Sequence, residues 1–139
     1  TAVMAAAQER GRLAIAYHSD MRKVAPDAQL LAVTHHWGDY YIRRARDVIA
    51  GRWTTGNTWG GIKDGMVKVG DFGPKVPEAV RQEVLARQRD IAAGRLKPFA
   101  GPITDNEGRA IIGRGQALTD PQILTMDYLV AGVVGKAGK

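Results

Sequence analysis

Two short apolar runs, Leu13–Tyr17 and Leu30–Thr34, constrain this chain more than any other feature. Both are free of charge and bounded by turn residues, Ser19 and Asp20 after the first and Pro26 and Asp27 before the second. A continuous rather than alternating apolar run of this length suits a strand buried on both faces, and such strands belong to parallel sheets. Residues 2–10, Ala-Val-Met-Ala-Ala-Ala-Gln-Glu-Arg, are helix formers with Thr1 placed to cap them and Gly11 to stop them. Helix, strand, loop, strand is the grammar of an α/β fold, a parallel sheet with flanking helices.

The rest of the chain continues that grammar. Residues 39–50 read as a helix with Tyr41, Ala45, Val48 and Ile49 on one stripe and Gly51 closing it. Residues 52–61 read as loop, and Met66–Val69 as a short strand before the Gly70, Gly73 and Pro74 turn. A helix starting at Pro77 is expected to run to Gly94 with Val80, Val84 and Ile91 inward and Glu83 paired with Arg87. Residues 98–112 read as a hairpin turning at Asp105-Asn106-Glu107-Gly108. Thr119-Asp120-Pro121-Gln122 reads as a capping box opening a last helix that carries Ile123, Met126, Val130 and Val133 along one face.

Composition removes several chemistries. With no cysteine among its 139 residues, the chain has no thiol nucleophile, thiolate metal site or disulfide. Its one serine, Ser19, sits in Tyr-His-Ser-Asp-Met and not on a nucleophile elbow. His35 and His36 are adjacent, so a strand would point them to opposite faces, and no HExxH spacing exists; no metal or cofactor is expected. Gly113-Arg114-Gly115 lacks the third glycine and preceding strand of a dinucleotide fingerprint. No catalytic residue emerges. The net charge of +6 and the trio Arg43, Arg44 and Arg46 beside Tyr40 and Tyr41 suggest a small basic nucleic-acid-binding module as a rival. Against it, Asp and Glu interrupt the basic residues throughout. A small-molecule enzyme is a further alternative that turnover would reveal.

Of nine Phe, Trp and Tyr residues, five (Trp37, Tyr40, Tyr41, Trp53 and Trp59) fall within residues 37–59. Trp37 directly follows the second apolar run, at the carboxyl edge where open α/β sheets place ligand crevices. Trp59 is followed by Gly60 and Gly61, and flat rings beside bare backbone suit a planar heterocycle. Packing is the alternative for each, and the favoured one for Tyr41 and Trp53. The run Tyr17-His18-Ser19-Asp20-Met21 ends the first strand at the same edge, so this polar cluster, His18 and Asp20 included, either bonds a ligand or forms a strand-to-loop turn in which Ser19 and Asp20 cap backbone amides. Lys63, bracketed by Gly61 and Gly65, either anchors a ligand hydroxyl or forms a surface ion pair.

Taken in order, these segments resemble the BMP family, the PnrA-like substrate-binding lipoproteins of ABC transporters. The likeness rests on Ala16-Tyr17-His18-Ser19-Asp20-Met21 at a Gly-x-Asp-Ser-Asp strand end and on His36-Trp37-Gly38-Asp39-Tyr40-Tyr41 at Trp-Gly-Pro-Tyr-Tyr. Asn57-Thr58-Trp59-Gly60-Gly61-Ile62-Lys63-Asp64-Gly65-Met66 and Lys97-Pro98-Phe99-Ala100-Gly101-Pro102-Ile103 complete it.

The resemblance implies a type I periplasmic-binding-protein fold, two α/β lobes around a cleft, of which this chain is the C-terminal part. It assigns residues 1–34 to the second lobe, 35–65 to the hinge crossing and a segment of the first lobe, and 66–139 to the return. The N-terminal half and a lipid-anchoring segment would lie upstream, placing the protein in the periplasm or on the cell surface. The implied ligand is a purine base or nucleoside, or another heterocyclic solute, and the implied partner a membrane permease; no nucleic acid is implied. Carried over by motif, Trp37 lines the cleft beside His36, Lys63 faces the sugar, and His18 stands where relatives have a ribose-binding aspartate. That exchange favours a free base or another small ring over a riboside.

Overall fold

In the computed structural model, which describes residues 1–137, the chain falls into two compact units, Thr1–Leu96 and a second beginning at Lys97. The first holds α1 (Ala2–Glu9), β1 (Ala14–His18), β2 (Gln29–His35), α2 (Gly38–Ile49), β3 (Val67–Gly70) and α3 (Glu78–Ala92). β1 and β2 pair in parallel, with Tyr17 opposite Val33 and His18 opposite Thr34. Met4 of α1 packs on Ala16, Ala25, Ala28 and Ala32 to form the buried core. Alanines on the sheet bring the helix close, and Gln8 ties the layers by accepting hydrogen bonds from Asp27 N and Ala28 N, both at 3.0 Å.

The short strand after the glycine-rich loop joins the other side of β2, but antiparallel, so that among the described residues β1 and β2 alone form the expected parallel pair. The reason is where the chain leaves and re-enters the sheet. His35, the end of β2, faces Val67, the start of β3, and His36 N donates to Met66 O at 2.9 Å. Residues 36–66 therefore form an excursion that starts and finishes at one sheet edge, and a strand re-entering there runs back along its neighbour. Gly73 closes the other end: a Cβ on it would collide with the Gln29 carbonyl.

The stripe of α2 forms, with Tyr41, Val48 and Ile49 exposed on it. One helical expectation is corrected in part. In α3, Val84 and Ile91 are half-buried, while Val80 is 48% exposed. Val80 lies in the first turn, before α3 meets β3 through Val69 N and Gln88 Oε1 at 2.7 Å. The Glu83–Arg87 pair forms at 2.7 Å.

The second unit contains the hairpin β4 (Ile103–Thr104) and β5 (Ala110–Ile112), and α4 (Asp120–Leu124). Asp105 builds the turn: its buried carboxylate accepts from Glu107 N at 3.0 Å, Arg109 N at 2.7 Å and Arg109 Nε at 2.9 Å. The last helix is shorter than its apolar pattern predicts. Gln122 reaches back to Thr119 N at 2.9 Å as a capping box requires, yet Met126, Val130 and Val133 lie beyond the helix. Their segment is recruited by the hairpin turn, with Asn106 N donating to Leu129 O and Asn106 Nδ2 to the carbonyls of Val133 and Gly135.

Candidate functional site

Flat side chains gather at the carboxyl edge of β1 and β2. His18 ends β1 at φ +73°, a left-handed conformation that turns its ring onto Tyr17, with centroids 3.9 Å apart. His35, at the end of β2, packs 4.8 Å from His18 and edge-on to Tyr17 at 5.6 Å. Trp37 follows at 6.0 Å from His35 with planes 26° apart, and Tyr41 stacks 6.2 Å beyond it at 28°. Strand alternation explains the membership: His35 shares a face with Val33, whereas His36 is turned to the Thr34 hydroxyl, 3.2 Å from its Nε2.

The edge of this ladder is braced by α2. Tyr40 packs edge-on to Trp37 at 5.9 Å, and the Arg44 guanidinium lies 5.3 Å from the Tyr40 ring centre. The Tyr40 hydroxyl is 3.2 Å from Thr58 Oγ1, to which Arg44 also donates at 3.4 Å. Those bonds, Thr58 first and Arg44 second, hold the Tyr40 phenol below its ordinary value, and they fasten the 52–61 loop to α2.

Of the residues singled out from sequence, the structure brings His18 and Trp37 together, bridged by His35. It takes Asp20 elsewhere. The Asp20 carboxylate receives Arg22 Nη2 at 2.6 Å and Gln29 Nε2 at 3.0 Å. Gln29 is the first residue of β2, roughly 20 Å of extended strand from His35. Arg22 holds the Asp20 carboxyl down at about 2 against a smaller push from burial. Lys63 is exposed in a turn that Asp64 closes by accepting Gly61 N at 3.0 Å, and among the described residues it forms no ion pair. Trp59 is exposed outside the ladder, and Gly60 has a packing reason, since a Cβ there would collide with the buried Met66 sulfur.

His35, Tyr17 and Tyr41 were not among the expected site residues. Tyr41 had a signal, its spacing of four from Trp37 on one helix. His35 had one as well, because alternation separates it from His36 and puts it over the apolar face.

Chemically, the ladder offers stacking surface with ring nitrogens and hydroxyls at its margin. Among the described residues no three His, Asp or Glu side chains are grouped to hold a metal, and no helix is long and apolar enough to cross a membrane.

The chain is 40% identical over 136 residues to a purine-binding protein of Brucella abortus, covering 98% of this chain and 39% of that relative. A protein of Haloferax volcanii named as an ABC transporter glucose-binding protein is 24% identical over 106 residues, 76% of this chain and 27% of its own. The crystal structure of a transcriptional activator of the comK gene from Bacillus halodurans superposes with a TM-score of 0.60 at 26% identity, over 69% of this chain and 34% of that one. The chain thus spans about two fifths of its purine-binding relative. Residues 1–99 match the Bmp family model, and the chain belongs to that family, the PnrA-like substrate-binding proteins of ABC transporters.

Proposed function

We propose that the protein carrying this chain is the extracytoplasmic solute-binding component of an ABC importer, taking a purine base or nucleoside into a cleft between two lobes. The observation that carries this reading is the ladder His18, Tyr17, His35, Trp37 and Tyr41 at the carboxyl edge of a parallel strand pair, where α/β sheets bind ligands. A fused heterocycle is flat, apolar on its faces and polar around its rim, so parallel rings with imidazole nitrogens at their margin complement it. The purine-binding name of a relative supports the same class.

The excursion of residues 36–66 supports assigning 35–65 to the crossing and part of the first lobe, with 1–34 and the chain after 65 in the second. Upstream sequence would supply the rest of the first lobe and a lipid anchor to the periplasmic or outer surface, and the closed form would dock on the permease. Closure is driven by tighter ligand binding to one of two states, so no catalysis is required. Trp37 and His18 are the ligand contacts on this reading, joined by Lys63, Trp59, His36 and Asp20 if closure rearranges their loops.

Native mass spectrometry of the complete protein, then release of bound material under denaturing conditions and calorimetry with purine bases, nucleosides and glucose, tests it. A purine recovered unchanged, or bound in preference to glucose, is expected. Preference for glucose, or chemical conversion of the bound purine, would overturn the proposal.

A further inference from the structure

We infer that the contact between His18 and His35 makes purine occupancy of this site sensitive to acid, the site loading near neutral pH and emptying as both imidazoles take up protons; the inference rests on the purine-binding reading. The two rings stand 4.8 Å apart between centroids, tilted by 45° and in contact. Imidazole exchanges its charge between about pH 8 and pH 5. Two imidazoliums so close repel, and the pair in contact holds no more than one proton unless an anion lies beside it. Among the described residues no Asp or Glu joins the two histidines in a metal-sized cluster. The Asp20 carboxylate, just beyond His18 in the chain, is taken by Arg22 and Gln29. The neighbours on each packed element are uncharged or cationic: Tyr17 on β1, Trp37 at the head of α2, Val67 opposite His35 on β3, and Lys68 opposite Thr34, the residue that pairs with His18.

The pair has a second arrangement to move to. His18 sits at φ +73°, a sparsely populated conformation for a residue with a side chain, which persists where the surroundings hold it. Tyr17 and His35 supply that hold through their ring contacts. Repulsion from a charged His35 removes the second of these contacts. His18 then relaxes toward ordinary backbone and turns its ring away from His35, which takes one of the two proposed ligand contacts out of the site. The emptied arrangement binds one proton more than the occupied one, so affinity is complete above about pH 7.5 and falls by up to about tenfold per pH unit as the second imidazole charges. On the outer side of a membrane, where the functional reading puts the protein, the pair lets external pH set how much ligand is carried.

The test is calorimetry on the complete protein with adenine and hypoxanthine, which keep one charge state over the range in which imidazole titrates, comparing wild type with His18→Asn and His35→Phe. Wild type is expected to bind about tenfold or more weakly at about pH 5 than at about pH 7.5. It is also expected to release part of a proton on binding near pH 6, about the imidazole midpoint, read from heats in buffers of different ionisation enthalpy. Asparagine tolerates the left-handed backbone and phenylalanine keeps the ring, and neither takes a proton, so in each variant the pH response is expected to shrink to within about threefold. Equal or tighter binding in acid, no proton released on binding, or a response of about tenfold that survives in either variant overturns the inference while leaving purine binding intact. Should a variant fail to fold or bind, the wild-type proton count decides. Absence of purine binding by wild type at every pH overturns the functional reading and the inference together.

Discussion

The Arg22 guanidinium meets the Asp20 carboxylate side-on, with Nε 2.9 Å from both oxygens and Nη2 2.6 Å from Oδ2. A carboxylate just beyond the end of β1 is thus engaged within the fold. Arg22 also reaches Asp71 at 3.3 Å, joining the segment after β1 to the residue after β3.

That pairing predicts an acid response of known sign. Asp20 is depressed to about 2, so its contribution to stability is complete above the ordinary carboxylate value near 4 and is lost as pH falls toward 2. Asp20→Asn removes the contribution at every pH. Urea midpoints for wild type and variant should therefore differ by a constant amount above about pH 4 and converge toward pH 2. A gap that persists undiminished at pH 2 would place the stabilisation elsewhere.

Gln29 predicts a larger effect. Its side chain is fully buried, accepts Met21 N at 2.8 Å, and donates to Asp71 O at 2.6 Å and Asp20 Oδ1 at 3.0 Å. Gln29→Leu keeps the bulk and strands those partners, each unsatisfied buried group costing about 1–3 kcal/mol. A loss of about 2–4 kcal/mol in denaturant unfolding is expected. A loss under about 1 kcal/mol would mean that water reaches the freed groups.

Gln29 also marks where the sequence was legible and where it was not. The strand pair, α2, α3 and the hairpin follow from local pattern, because apolar runs, glycine stops and an Asp-Asn-Glu-Gly turn act within a few residues. The antiparallel entry of β3 depends on His36 meeting Met66, a contact thirty residues apart in sequence that no periodicity encodes. The last helix failed for a similar reason: Asn106 competes for the carbonyls of Val133 and Gly135 and outweighs the apolar spacing. At the candidate site, the meeting of Trp37 and His18 at one sheet edge was readable from their positions after strands. For Asp20 the turn alternative is what forms, its Oδ1 accepting Arg22 N at 3.0 Å, while its bond from Gln29, nine residues on, carried no signal in the sequence.

The hairpin turn of the second unit depends on Asp105. Burial alone would push its carboxyl up, but the Arg109 and Glu107 N–H groups and the Arg109 guanidinium outweigh it and hold the group below its ordinary value. Asp105→Ala strips the acceptor from the Glu107 and Arg109 amides. Hydrogen exchange at those two amides should rise about tenfold or more, with the sheet of the first unit unaffected. Unchanged exchange would show that the turn closes through Asp105 N and Arg109 O, 2.9 Å apart, without the side chain.

Trp37 separates binding from folding. It is 42% exposed, opens α2 without a side-chain cap, and touches the fold through ring contacts with His35, Tyr40 and Tyr41. Truncation of a side chain so exposed should change unfolding free energy by no more than about 0.5–1 kcal/mol. The same ring, stacked on a purine, contributes roughly 1 kcal/mol beyond its buried area. Trp37→Ala should therefore weaken purine binding by at least about 1 kcal/mol in calorimetry while the urea midpoint barely moves. The reverse pattern, a stability loss with affinity retained, would make Trp37 a packing residue and move the ligand away from the β2 edge.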